Sequence, residues 1–293
     1  DDAPAHPWTH LNFTPPTEVF HFAVVSDQTS GMRPGIFDQA VTALNRLRPE
    51  FVLSIGDLIS GHPDERLLHV QWREFQKQIA PLKPPFFFVP GNHDVEHTTM
   101  RRHWETKFGR TYHYFIRHGV LFLCLNTLDG PLDKKGAYAV GLSKEQRAYV
   151  RGILEKNAAV RWTMLFMHHP LWLYDEEAKE NPDRGEPTGF ADLQAALQGR
   201  PHTVFAGHIG QNILHRSTLA CRQREGQLRQ NFCGNVTFGA DRLARHLAHA
   251  GEVGSRLHQK RTDRAQPAVL DRGAHVVLEC HRREDLAERH AIA

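Results

Sequence analysis

The chain has 293 residues, of which 40% are hydrophobic and 24% are charged, and its formal net charge at pH 7 is +3. These values are ordinary for a globular protein whose length allows one large domain or two small ones. It contains no run of about 18 apolar residues, which excludes a membrane-spanning helix.

The first 19 residues are polar and rich in proline, and we expect residues 1–19 to form an exposed leader. The chain begins with Asp1 rather than Met, which either processing of the protein or trimming during cloning would explain. Removal of a signal peptide would favour a periplasmic or secreted location.

A strand, a helix and a second strand open the main part of the sequence. Residues 20–26 form an apolar run that predicts a strand ending at Asp27. Apolar side chains follow at helical spacing over residues 34–47, and residues 51–55 predict a strand that ends at Asp57. A unit of this kind predicts parallel strands joined by a right-handed crossover.

Alternating strands and helices continue to residue 208. The predicted elements are a helix of residues 64–80 capped by Asp64, a buried strand of residues 86–89, a helix of residues 98–108, a hairpin of residues 111–116 and 120–125, a helix of residues 143–156, a strand of residues 161–167, a charged loop of residues 174–187, a helix of residues 192–197 and a strand of residues 202–206. This alternation predicts an α/β fold.

Five of the predicted strand ends carry side chains that can bind a metal ion. They are Asp27, Asp57, Asn92-His93-Asp94, His168-His169 and His208. Ligands of open α/β sheets lie beyond the carboxyl ends of the strands, so we expect these side chains to meet at one edge. A mixture of carboxylate, amide oxygen and imidazole suits divalent manganese, iron or zinc better than calcium. Each strand end alone is also typical of a polar turn, but five in series favour a metal site.

The series resembles the calcineurin-like metallophosphoesterase superfamily over residues 20–208, and residues 91–94 are its most specific part. The resemblance implies a two-sheet β-sandwich flanked by α-helices, in four layers ordered α/β/β/α. It also implies a phosphoester substrate and a phosphatase or phosphodiesterase activity. In the implied reaction, a metal-bound hydroxide attacks the phosphorus.

The resemblance assigns metal-binding roles to five residues. Asp57 would bridge two metal ions, and Asn92, His168 and His208 would complete the shell of one of them. Asp27 would hold the other ion together with Asp57.

Two further residues have implied catalytic roles. His93 would not be a ligand, but would act as the acid for the leaving group or stabilise the transition state. Asp94 would orient the His93 ring.

Two histidines of the family pattern are absent from this chain. The family has Asp-x-His where this chain has Asp27 and then Thr29, and Gly-His-x-His where it has His208 and then Gly210. Both missing histidines belong to the metal ion held by Asp27, so we expect one or two divalent ions per chain. The alternative is a non-catalytic relative that keeps the fold and has lost one metal site.

Residues 209–293 differ sharply in composition from the preceding sequence. Their basic residues are nearly all Arg, and Phe232 and Phe238 are their only aromatic residues. Residues 236–238 and 274–278 are the only strand-like runs. A coding frame shift just after residue 208 fits this break best, and it would leave the second sheet incomplete. A divergent or disordered tail is the alternative. Nucleic-acid binding is disfavoured, because basic tails of that kind usually mix Lys with aromatic residues.

Overall fold

In the part of the chain that the structure describes, two four-stranded β-sheets form the centre of the fold. The computed structural model describes residues 5–13, 19–29, 34–180, 187–208 and 276–281. The strands are β1 (Val19–Val25), β2 (Val52–Ser54), β3 (Phe86–Phe87), β4 (His113–Arg117), β5 (Val120–Cys124), β6 (Trp162–Met167), β7 (His202–Ala206) and β8 (Val276–His281). The helices are α1 (Ile36–Leu47), α2 (Glu65–Ile79), α3 (Asn92–Val95), α4 (Thr98–Phe108), α5 (Lys144–Lys156), α6 (Leu171–Glu180) and α7 (Phe190–Ala196).

The first sheet has the strand order β3-β2-β1-β8. Strands β1, β2 and β3 are parallel, with Ala23 opposite Val52 and Val52 opposite Phe86. Strand β8 runs antiparallel to β1 and closes the other side of the sheet. Because β1, β2 and β3 point the same way, the segments that follow them leave the sheet at one edge.

The second sheet has the strand order β4-β5-β6-β7. The predicted hairpin is confirmed, because β4 and β5 pair antiparallel. Strands β5, β6 and β7 are parallel, with Leu123 opposite Leu165 and Leu165 opposite Val204. The segments after β6 and β7 therefore also share an edge.

The apolar core consists of three clusters, one at each interface between neighbouring layers of the fold. Together they confirm the α/β/β/α sandwich. Aromatic side chains fill the space between the sheets, where Phe22, Phe51 and Phe122 are fully buried and pack together. Helices α1, α2 and α4 share one outer cluster with the first sheet. Helices α5, α6 and α7 share the other outer cluster with the second sheet.

Two helix starts predicted from the sequence are confirmed by their capping hydrogen bonds. The Asp64 carboxylate accepts from the backbone N–H of Arg66 at 2.9 Å, and the Ser143 hydroxyl accepts from the N–H of Gln146 at 3.0 Å. None of the helices in the described ranges has the length and apolar character needed to cross a membrane.

Within the leader predicted to be exposed, residues 5–13 lie along strand β3; Pro7 is buried there, whereas Leu11 remains 53% exposed. The Thr9 N–H donates to the carbonyl of Phe86 at 3.0 Å, and the Phe88 N–H donates to the carbonyl of Pro7 at 2.9 Å. Strand β3 is the outermost strand of the first sheet, so its free edge can accept this segment. The Trp8 ring also packs against Phe87.

The charged loop predicted at residues 174–187 begins as a helix. Helix α6 runs from Leu171 to Glu180, because Pro170 precedes its first turn and Leu171 is fully buried against the second sheet. The Trp172 ring adds a contact with Phe190 of α7. Tertiary packing thus outweighs the polar composition of the segment.

The predictions for residues 209–293 fall almost entirely outside the described residues. The exception is the strand-like run near residue 276, which forms β8. The frame shift and its alternatives are not addressed by the described ranges.

Candidate metal centre

Five parallel-strand ends bring the predicted ligands together at one edge of the sandwich. Asp27 follows β1, Asp57 follows β2, and Asn92 opens α3 just after β3. His168 and His208 follow β6 and β7 of the second sheet. The two sheets therefore contribute to one site, as the strand-end pattern predicted.

The Nε2 atom of His168 is the point on which this site converges. It lies 3.1 Å from Asn92 Oδ1, 3.2 Å from His208 Nδ1 and 3.2 Å from Asp57 Oδ2. The His168 side chain is fully buried. Four atoms of four predicted ligands therefore crowd together.

The tautomer of His168 indicates that the four crowded atoms surround a position suited to a cation. Its Nδ1 lies 2.8 Å from the carbonyl oxygen of Ile55, which can only accept, so Nδ1 carries a proton. In the neutral ring, Nε2 then offers a lone pair and faces the acceptor oxygens of Asn92 and Asp57, with a ring nitrogen of His208 beside them. One proton on Nε2 cannot be shared well between the two oxygens, whereas a cation among them would satisfy both oxygens and the ring nitrogens.

Asp57 and His168 form a buried pair of opposite charge, with 3.2 Å between Asp57 Oδ2 and His168 Nε2. Burial disfavours the charged His168 ring, but the hydrogen bond and charge of Asp57 outweigh it and raise the pKa of His168 to about 9. Burial likewise favours the neutral acid of Asp57, but the His168 interactions and smaller contributions from His93 lower its pKa overall. The site therefore attracts positive charge, which a metal ion would supply in place of the second His168 proton.

Three of the predicted ligands have a left-handed backbone. The φ angles are 51° at Asp27, 57° at Asp57 and 70° at His208, and the only other non-glycine residues with positive φ in the described ranges are Arg48 and His118. Such a conformation costs about 1 kcal/mol or more in non-glycine residues. Its concentration at these strand ends indicates a local geometry that the surrounding structure enforces.

The glycines before two ligand-bearing positions are required by close backbone approach. A Cβ atom at Gly91 would fall inside contact distance of the Asp57 carboxylate and backbone nitrogen. A Cβ atom at Gly207 would collide with Ser26 Oγ and Asp27 Oδ2 in the same way. The loops after the strands can therefore meet only because these two positions lack side chains.

Asp27 lies within reach of the same centre. One ligand atom each from Asp27, Asp57 and His168 lies within 4.8 Å of the other two. The Asp27 carboxylate accepts from the N–H of His208 at 3.1 Å and from the Ser26 hydroxyl. Asp27 and Asp57 are therefore placed to share a second cation.

The predicted role of Asp94 as the residue that orients His93 requires correction. The Asp94 carboxylate is fully buried and accepts four backbone N–H groups, from Asp57 and Gly91 at 2.8 Å, Leu58 at 3.0 Å and Ile59 at 3.3 Å. These four donors occupy both of its oxygens. Asp94 therefore holds the loop that carries Asp57, because the loop turns away from the sheet and needs acceptors for its N–H groups.

His93 is instead held by the loop after β2. Its Nδ1 lies 2.8 Å from the carbonyl oxygen of Ser60, and its backbone N–H donates to Asp57 Oδ1 at 3.0 Å. The carbonyl can only accept, so Nδ1 carries a proton and the contact fixes the orientation of the ring.

His169 lies beside the site, and one ligand atom each from His168, His169 and His208 lies within 4.8 Å of the other two. Its Nδ1 lies 2.7 Å from Thr127 Oγ1, and its ring centroid lies 4.2 Å from that of His208. Burial, together with the charges of His168 and His208, lowers the pKa of His169, so the ring is neutral. Thr127 follows the end of β5. A polar residue at that strand end is the feature of the sequence that could have predicted its contact with His169.

The position of the missing family histidine is filled by a buried threonine. Thr29 is 3% exposed, and its backbone N–H donates to the carbonyl of Asp57 at 3.3 Å. A threonine hydroxyl is a weaker ligand than imidazole for manganese, iron or zinc. A cation held by Asp27 and Asp57 would therefore have fewer strong protein ligands than one held beside His168.

The sequence profile of the calcineurin-like phosphoesterase family matches residues 20–212. This match spans most of the chain, and it confirms the resemblance: the chain belongs to the calcineurin-like phosphoesterase family. Membership establishes a phosphoesterase-type hydrolase at the level of the family.

The chain is similar to two curated proteins over part of its length. It is 23% identical over 191 residues to the 3',5'-cyclic adenosine monophosphate phosphodiesterase CpdA of Haemophilus influenzae, covering 57% of this chain and 60% of that protein. It is 27% identical over 130 residues to a probable glycerophosphodiester phosphodiesterase, GpdQ, of Arcobacter nitrofigilis, covering 42% of each. The chain therefore spans less than two thirds of either relative.

Among solved structures, the fold is similar to a dimetal phosphatase from Danio rerio. The TM-score is 0.48 at 14% sequence identity, and the match covers 65% of this chain and 82% of that chain.

Proposed function

We propose that this chain hydrolyses phosphodiesters with the help of divalent cations held at the strand-end site. The observation that carries the proposal is the convergence of Asp57, Asn92 and His208 on Nε2 of His168. The phosphodiesterase activities in the names of the two curated relatives support a diester rather than a monoester substrate.

The donor set fits a manganese, iron or zinc ion. Asp57, Asn92, His168 and His208 would hold a first ion, and Asp27 with Asp57 would hold a second. Bound ions would supply Lewis-acid activation of water and of the phosphoryl oxygens. Because Thr29 stands where the family has a ligand, we expect the second ion to bind more weakly than the first.

The protein itself would provide orientation and a proton. The Ser60 carbonyl holds Nδ1 of His93, so transfer of a proton to the leaving oxygen would proceed from Nε2. Asp94 fixes the loop that carries Asp57, and the buried Ile55 carbonyl fixes the tautomer of His168. These contacts preorganise the site before a substrate binds.

The proposal is tested by metal content and turnover measured together. The protein is stripped, reloaded separately with Mn²⁺, Zn²⁺ or Fe²⁺, and assayed on bis(p-nitrophenyl) phosphate and p-nitrophenyl phosphate. We expect the diester to be the better substrate. Asp57→Asn and Asn92→Ala should lose the first ion and turnover, because each removes one of its four ligands.

The matched control is Asp38→Asn, which removes an exposed carboxylate on α1. It should keep the metal content and rate of the unmodified chain. Metal binding without turnover of either substrate would favour the alternative of a non-catalytic relative. Full metal content and rate in Asp57→Asn would contradict the proposed ligand set.

A further inference from the structure

A second cluster of potential metal ligands lies between α2 and α4 and shares no residue with the strand-end site. Glu65 and His69 are four residues apart on α2, so they lie on the same face of that helix. His103 lies on α4, which packs against α2. One ligand atom from each of the three side chains lies within 4.8 Å of the other two.

The His103 ring provides an independent indication that a ligand belongs here. Its side chain belongs to the buried face of α4 and is only 6% exposed, yet Nε2 has no hydrogen-bond partner among the described residues. Buried polar atoms of native proteins are nearly always paired. The ring meets His69 edge to face, with the centroids 4.5 Å apart. The ring that carries this unpaired nitrogen therefore lies beside a second imidazole and within reach of a carboxylate.

We propose that Glu65, His69 and His103 form a binding site for zinc. Two imidazoles and one carboxylate are a common protein ligand set for this ion, and water completes the tetrahedron. Glu65 and His69 are exposed, so their side chains can rotate to bring all three ligand atoms to the bonding distance of about 2.0–2.2 Å. Lys107 acts on His103 as a neighbouring positive charge and opposes the binding of a cation.

Zinc at this site would join the helices that follow two of the strand-end loops. Helix α2 begins a few residues after Asp57, and α4 begins shortly after the helix that carries Asn92 and His93. The loop before α2 packs closely against α3 and α4, since a Cβ atom at Gly61 would collide with the His93 carbonyl and the Met100 side chain. Occupancy would therefore stabilise the arrangement of α2 and α4, independently of the hydrolytic reaction.

The test compares zinc stoichiometry among variants of the full chain. Protein stripped with a chelator is dialysed against buffered zinc and analysed for zinc per chain. We expect Glu65→Gln and His69→Gln each to bind one zinc fewer than the unmodified chain. The matched control is Glu74→Gln, which changes an exposed glutamate on the same helix outside the cluster and should bind the full amount.

Thermal melting and activity provide the second readout. Zinc at 100 times the dissociation constant of this site should raise the melting temperature of the control by several degrees more than that of His69→Gln. His69→Gln should retain diester hydrolysis, so failure of this inference is distinguishable from failure of the proposed function. Lys107→Met should tighten zinc binding. Equal zinc content in the unmodified chain, Glu65→Gln and His69→Gln would overturn the proposal.

Discussion

Gly91 offers the sharpest structural perturbation of the strand-end site. Its backbone is extended, with φ −104° and ψ −175°, so alanine can adopt the same conformation without strain. The added Cβ atom would nevertheless lie inside contact distance of Asp57 Oδ1 and only 3.0 Å from Asp57 Cγ. It would also meet the Asp57 backbone nitrogen, so both the carboxylate and the backbone of Asp57 must retreat by about 1 Å to restore ordinary contacts. Metal–ligand bonds tolerate about 0.2 Å.

We therefore expect Gly91→Ala to weaken diester hydrolysis by about 10²-fold, the usual consequence of a misplacement of this size. Binding of the first metal ion, measured by competition with a fluorescent chelator, should weaken in parallel. The matched control is Gly152→Ala on α5, where a Cβ atom would meet nothing within 4 Å. It should keep full activity and gain up to about 1 kcal/mol in the free energy of unfolding. If Gly91→Ala bound metal and turned over like Gly152→Ala, the steric reasoning would be refuted.

Two further variants test separate parts of the molecule. His93→Ala should keep its metal content while kcat falls by about 10²–10⁴-fold, because it removes a positioned proton donor; a parallel loss of metal would make His93 a ligand instead. His113 is buried without a hydrogen-bond partner on either ring nitrogen in the described ranges, and burial lowers its pKa to about 3. In the unfolded chain the His113 ring binds a proton below about pH 6.5, whereas in the folded chain it stays neutral down to about pH 3. The free energy of unfolding therefore falls as the pH drops, by about 2 kcal/mol at pH 5. His113→Phe should reduce the difference in melting temperature between pH 7.5 and pH 5, and an unchanged difference would contradict the assignment.

The ligand set could be predicted from the sequence because it depends on a regular feature of the fold. Parallel strands end at a common edge of the sheet. Polar residues at strand ends, such as Asp57 and His168, therefore lie close together even when the conformations of the loops are not known. The positions of the strands and the hairpin followed from apolar patterning, although β2 and β3 are shorter than predicted, and the starts of α2 and α5 followed from Asp64 and Ser143. These features depend on local sequence.

Other features depend on contacts between distant residues and could not be predicted in this way. The direction of the Asp94 side chain is set by four N–H groups, three of them more than 30 residues earlier in the chain. The free edge of β3 determines the position of residues 5–13. Helix α6 forms because Leu171 has a hydrophobic surface to cover, which its polar sequence does not indicate.

The central claim is that Asp57, Asn92, His168 and His208 hold one divalent cation. A crystal structure of the zinc-loaded chain, with diffraction recorded on both sides of the zinc absorption edge, tests this most directly. We expect an anomalous peak about 2.0–2.2 Å from Asp57 Oδ2, Asn92 Oδ1, His168 Nε2 and His208 Nδ1. Absence of a peak among these four atoms in crystals of zinc-loaded, active protein would contradict the claim.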